Sequence, residues 1–193
     1  MKLNLANMLT LFRMAAIPVV VVCFYAPIPH ARPIAAIIFG IAAVTDFIDG
    51  WVARKYNQQS RFGEFLDPVA DKLMVSIVLV MLVQAQSGWF EDIIAMIIIG
   101  REITISALRE WMATIGERAN VKVSMLGKVK TTLQMFGIAF MVFKDEFLGI
   151  DVYAVGFVLL VAAAVLTIWS MIIYLQAAWP FIISDGDTAG TAE

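Results

Sequence analysis

DFIDGWVARKYNQQSRFGEFLDPVAD, residues 46–71, decides how this chain is read, because it places four carboxylates where long apolar stretches meet. Asp46 and Asp49 close one apolar run, and Asp67 and Asp71 open the next. On a helix, a spacing of three or four sets both carboxylates of a pair on one face. Two such helices joined by a short loop could aim all four acids into one space. Unpaired carboxylates that close repel strongly, so the arrangement makes sense only around something positive, for which a divalent metal is the obvious candidate.

The rest of the composition says where such a cluster would sit. At 193 residues the chain has the length of one domain, but its 61% hydrophobic content and mean hydropathy of +0.85 are too high for an ordinary soluble fold. A membrane protein is expected, with no nucleic-acid partner. The single cysteine, Cys23, lies inside an apolar run. That excludes a disulfide framework and a Cys-based metal site, and Cys23 reads as a small apolar residue. The formal charge of −2 says little, since the placement of charge matters more than its sum.

About 20 apolar residues are needed for one crossing, and the chain offers six such runs. They cover about Asn7 to Tyr25, Pro33 to Ala53, Asp67 to Gln86, Phe90 to Met112, Gly127 to Phe143 and Asp151 to Ala178. The fold class expected is therefore all-α, a polytopic membrane protein of six transmembrane helices. Turn chemistry agrees, with Pro27 and Pro29 after the first run, Ser87 and Gly88 after the third and Gly149 after the fifth. The opening MKLNLA is too short and too sparsely charged for a cleavable signal, and no internal repeat of the transporter kind is present. Residues 1–183 form the transmembrane domain in this reading, and 184–193, SDGDTAGTAE, a disordered acidic tail.

Orientation follows from Lys and Arg placement. With the amino terminus in the cytoplasm, Arg54, Lys55, Arg61, Arg118, Lys122, Lys128 and Lys130 fall on the cytoplasmic side. The opposite side keeps Arg32, and Lys144 beside Asp145 and Glu146. Both termini are then cytoplasmic. The same topology puts Asp46, Asp49, Asp67, Asp71, Lys72, Arg101, Glu102, Arg109, Glu110, Lys128 and Lys130 in the cytoplasmic half of the layer, with Arg13 near that depth. Charges inside a membrane are costly and line cavities. One polar cavity open to the cytosol is the economical reading.

Oxygen-only ligands favour hard cations such as Mg²⁺ or Mn²⁺ over zinc, and the single histidine, His30, lies on the wrong side. Two metals about 4 Å apart can clamp the attacking and leaving oxygens of a phosphoryl displacement. Asp67 has a plainer reading as a helix cap, with Pro68 in the favoured first-turn position. Gly50, Ala53 and Gly63 would open a slot against which a nucleotide could lie, although small residues also serve helix packing. Arg54 can meet a phosphate with a two-pronged hydrogen bond. Arg101 and Arg109, two turns apart on one face, together with Lys128 and Lys130, could hold a dianionic phosphate. Simple anchoring at the membrane surface is the plainer reading for Arg118 and Lys122.

The pattern D-x-x-D-G-x-x-A-R, eight residues, then G-x-x-x-D-x-x-x-D is filled by Asp46, Asp49, Gly50, Ala53, Arg54, Gly63, Asp67 and Asp71. It resembles the signature of the CDP-alcohol phosphotransferases, membrane enzymes that move a phosphatidyl or related group from a CDP-linked donor to an alcohol. The resemblance implies that Asp46, Asp49, Asp67 and Asp71 hold two metal ions and that Asp71 also takes a proton from the acceptor hydroxyl. It implies further that Asp49, Gly50, Ala53, Arg54, Gly63 and Thr10 meet the CDP donor.

Three further segments resemble the bacterial branch of that family that forms phosphatidylglycerophosphate. They are N-x-L-T-x-x-R (Asn7, Leu9, Thr10, Arg13), REITISALREWMA (Arg101 to Ala113) and GKVKTTLQM (Gly127 to Met135). This closer resemblance implies CDP-diacylglycerol as donor and sn-glycerol 3-phosphate as acceptor, the latter held by Arg101, Arg109, Lys128, Lys130 and Arg13. It implies also a homodimer among the lipids of a bacterial inner membrane. The alternatives are another acceptor (inositol phosphate, serine or phosphatidylglycerol) or a divalent-cation transporter. Against the transporter, charge is confined to one leaflet and no polar relay runs to the other side.

Overall fold

The computed structural model describes residues 5–55, 61–86, 88–116 and 125–189, and the side chains within them at 7–45, 63, 65–86, 88–116, 127 and 129–183. Six helices stand among the described residues. They are α1 (Leu5–Tyr25), α2 (Ala31–Lys55), α3 (Arg61–Ala85), α4 (Trp89–Thr114), α5 (Met125–Phe143) and α6 (Val152–Ala189). A two-residue hairpin, β1 (Glu146–Phe147) and β2 (Ile150–Asp151), precedes α6. This ladder is an addition to the all-α expectation. Its turn residues Leu148 and Gly149 both have positive φ, 55° and 77°. That is the geometry a two-residue hairpin turn requires. Asp151 then caps α6, its Oδ1 accepting from the Ala154 amide at 3.0 Å.

One boundary is corrected. Asp67 and Pro68 do not start a helix, because α3 begins at Arg61 and runs through Pro68. The capping reading of Asp67 is thereby removed: the residue lies well inside the helix. Pro68 lacks the N–H that would meet the carbonyl four residues back, a defect tolerated here beside the acids. At the other end, α6 keeps its helical backbone to Ala189, past the start of the segment read as a tail, and residues 190–193 lie outside the described residues.

The helices pack as a closed ring in the order α1, α2, α5, α6, α4, α3, with α3 also touching α5 across the middle. Phe39, Ile98, Ile138 and Val142 are completely buried in its interior. α5 and α6 approach each other closely. A Cβ on Gly137 would stand 2.9 Å from the Leu160 amide nitrogen, and one on Gly156 would stand 2.8 Å from the Gly137 carbonyl oxygen. Backbones can meet this closely only where side chains are absent.

Burial is inside-out relative to a soluble protein. Val22, Ile37, Met96, Ile103, Val158 and Trp169 are each more than half exposed, while Asn7, Thr10, Arg13, Lys130, Gln134 and Ser170 are buried. Apolar surface on this scale calls for an apolar surrounding. Asn7–Tyr25 and Val152–Ile183 are long and apolar enough to cross a membrane, and Ala31–Thr45 and Val129–Phe143 are shorter apolar helices. Only about a third of each long segment is buried within the protein, which does not suit the core helix of a soluble fold.

One end of the ring is fastened by polar contacts. Arg32 donates from Nε to the Val142 carbonyl (3.0 Å) and from Nη2 to that of Met141 (3.3 Å), while its guanidinium lies 3.8 Å from the Phe24 ring centre. Those carbonyls belong to the last turn of α5, which has no helical donors of its own. Tyr25 also bonds Gln84, and Tyr153 donates to Glu91 at 3.0 Å.

Candidate active site

Two adjoining clefts open among α3, α4, α5 and α6. The larger, of about 870 Å³, is lined from α3 by Asp67, Asp71 and Lys72, from α4 by Arg101, Glu102, Ser106, Arg109 and Glu110, and from α6 by Tyr174. The smaller, of about 160 Å³, shares Asp71, Lys72, Arg101, Glu102, Arg109 and Tyr174 and adds Gly127, Lys130, Thr131 and Gln134 of α5. A volume of several hundred cubic ångströms suits a small organic ligand. Charges scattered over 64 positions of sequence, from Asp67 to Lys130, thus converge on one space.

Helical repeat explains the convergence. Asp67 and Asp71 are one turn apart on α3, Arg101 and Arg109 two turns apart on α4, and Lys130 and Gln134 one turn apart on α5. Each pair therefore occupies one face, and the ring order turns those faces inward.

Specific contacts fix the side chains. The Thr10 hydroxyl donates to Asp67 Oδ1, joining α1 to α3. Lys72 Nζ donates to Ser106 Oγ, joining α3 to α4. The carboxylate of Glu102 takes two cations on one oxygen: Arg101 Nη1 at 2.8 Å and Lys130 Nζ at 3.4 Å. Arg101 is further held through Nη2 to Ser170 Oγ at 3.4 Å, and Ser170 itself donates to the Thr167 carbonyl at 2.9 Å. The Tyr174 ring lies 6.0 Å from the same guanidinium. Among the described residues, Arg101 Nε is buried and makes no hydrogen bond.

The residues singled out from sequence fall into three groups. Asp67, Asp71, Arg101, Arg109 and Lys130 line the clefts, and Thr10 reaches them through Asp67. Arg13 and Gly63 are buried but do not line these two clefts. The side chains of Asp46, Asp49, Ala53, Arg54 and Lys128, Gly50 likewise, and the whole of Arg118 and Lys122, lie outside the described residues. The backbone of 46–54 is helical and belongs to α2. Sequence reasoning placed Lys72 and Glu102 among the charges of one cavity without a specific role, and it did not single out Ser106, Gln134, Ser170 or Tyr174. The available signal was a polar or charged residue within an apolar helix.

The donor set can be tested against a hard divalent cation. Asp67 and Asp71 offer only carboxylate oxygens, half-buried and one turn apart, which fits such an ion. No group of three or more His, Cys, Asp or Glu poised for a metal occurs among the described residues, a set that omits the Asp46 and Asp49 side chains.

Comparison with known proteins bears on this arrangement. Residues 3–169 match the family model described as CDP-alcohol phosphatidyltransferase. The chain is 49% identical over 178 residues, 92% of its length and 96% of the relative's, to the CDP-diacylglycerol--glycerol-3-phosphate 3-phosphatidyltransferase of Salmonella choleraesuis strain SC-B67. Proteins of the same name in Shigella flexneri and Escherichia coli strain K12 match with the same identity and coverage.

Proposed function

This chain belongs to the CDP-alcohol phosphatidyltransferase family, and from that premise we propose that it transfers the phosphatidyl group of CDP-diacylglycerol to sn-glycerol 3-phosphate, giving phosphatidylglycerophosphate and CMP. The observation that carries this reading is 49% identity, along nearly the full length of both chains, to transferases named for that reaction. The cleft supports it, since its buried cations suit a phosphorylated acceptor better than a neutral one.

Divalent metal is general to the family. In the proposed site Mg²⁺ or Mn²⁺ is held by Asp46, Asp49, Asp67 and Asp71, and when bound it offsets charge on the donor diphosphate. Asp49, Gly50, Ala53, Arg54, Gly63 and Thr10 form the donor site in this reading. Arg101, Arg109, Lys128, Lys130 and Arg13 hold the acceptor phosphate in this reading. Held by that phosphate, the acceptor presents its primary hydroxyl to Asp71, which takes the proton as the oxygen attacks the phosphorus bearing diacylglycerol. The bond from that phosphorus to the CMP oxygen breaks and CMP leaves.

The proposed setting is the bacterial inner membrane, crossed six times with both termini in the cytoplasm, the cleft facing the cytosol and the protein a homodimer. Purified protein given CDP-diacylglycerol and Mg²⁺ or Mn²⁺ should release CMP only when sn-glycerol 3-phosphate is added. CMP release with serine or inositol phosphate in preference would overturn the acceptor, and none with any acceptor would overturn the activity.

A further inference from the structure

Glu102 stands where the two buried cations of the cleft meet. Arg101 is 9% exposed and Lys130 3%, and they come from different helices, α4 and α5. Two desolvated positive charges that close repel unless a negative group lies between them. Glu102 Oε1 is that group, 2.8 Å from Arg101 Nη1 and 3.4 Å from Lys130 Nζ. The Glu102 side chain is 25% exposed, so the ion triad faces the cleft without being dissolved in solvent.

We propose that Glu102 is a positioning residue whose charge and reach together set acceptor recognition: it draws Arg101 and Lys130 together into one two-point grip for the acceptor phosphate. This rests on the phosphorylated-acceptor reading above. A carboxylate beside an anion site is a paradox on charge alone, since it weakens the attraction the site exists to provide. The contradiction disappears once the arms are considered. Arg101 and Lys130 carry long, flexible side chains that would splay apart by mutual repulsion, and the shared oxygen fixes both before the ligand arrives. Ser170 completes the hold on Arg101 from α6, at 3.4 Å.

Reach and charge are separable by substitution. Glu102→Gln keeps the oxygen at the same distance and removes the charge, whereas Glu102→Asp keeps the charge and withdraws it by one methylene. If the grip needs both, the glycerol 3-phosphate KM rises about tenfold in Glu102→Gln, which leaves two buried cations uncompensated. It rises by a similar factor in Glu102→Asp, which falls short of Lys130, and further in Glu102→Ala, about 1.4 kcal/mol per decade, with the CDP-diacylglycerol KM steady throughout. If Glu102 only repels the acceptor, Glu102→Gln and Glu102→Ala bind it more tightly and Glu102→Asp is unchanged, which overturns the proposal. Equal change in both KM values overturns it too. Should Glu102→Ala fail to fold, the Gln and Asp pair decides alone. A wild-type enzyme indifferent to glycerol 3-phosphate sinks the acceptor reading itself, a result distinct from any pattern among the variants.

Discussion

The hydroxyl of Thr10 donates to a carboxylate oxygen of Asp67 across 57 positions of sequence, so the first helix orients an acid carried by the third. A hydrogen bond to an ionised group is worth roughly 1.5–3 kcal/mol. Thr10→Val should therefore lower turnover about tenfold or more, and Thr10→Ser should retain it. Initial rates of CMP release across a Mg²⁺ series are the measurement. If Thr10→Val matches the wild type at every metal concentration, the bond has no part in the reaction.

Asp71 lines both clefts from the middle of α3. Replacement by Asn removes the negative charge and the ability to take a proton while preserving shape. Turnover in Asp71→Asn should fall by about 10³-fold or more, while CDP-diacylglycerol binding is retained in part. Near-normal turnover would remove Asp71 from the chemistry.

Lys130 is buried and Arg109 exposed, although both line the smaller cleft. A screened surface charge contributes less than a desolvated one. Lys130→Ala should raise the glycerol 3-phosphate KM by about tenfold or more and Arg109→Ala by about threefold, with the donor KM little changed in either. The reverse ranking would mean that the acceptor phosphate docks at the mouth rather than at Lys130.

Gly137 and Gly156 have no room for a side chain where α5 meets α6. Overpacking such a contact costs about 1–3 kcal/mol. Gly156→Val should lower the melting temperature of detergent-purified protein by several degrees, and Gly137→Ala should do so by less. An unchanged melting temperature in both would mean that the helices part easily.

Much of the bundle was legible because apolar run length and turn residues both report on helices. The start of α3 was not. Asp67 followed by Pro68 carries the pattern of a cap and first turn, yet helical hydrogen bonding continues from the apolar segment back to Arg61, where hydropathy no longer marks it. The hairpin was missed because two-residue strands are too short to show alternation, although the Leu148–Gly149 turn was half-visible in Gly149. At the site, helical spacing revealed the faces of Asp67 with Asp71 and of Arg101 with Arg109. It could not say that Glu102 would pair with Lys130, since that depends on which helices become neighbours. Ser170 likewise looks like one more small residue in an apolar helix until Arg101 is seen against it.

The tight Gly137–Gly156 crossing does more than save space. Where the two glycines meet, backbone lies directly against backbone, so α5 and α6 form one panel, and Lys130, Ser170 and Tyr174 ride on it together. The carboxylates of α3 belong to the opposite wall. Substitutions along the panel therefore change what one side of the cleft offers a ligand, while Asp67 and Asp71 are set on a separate helix.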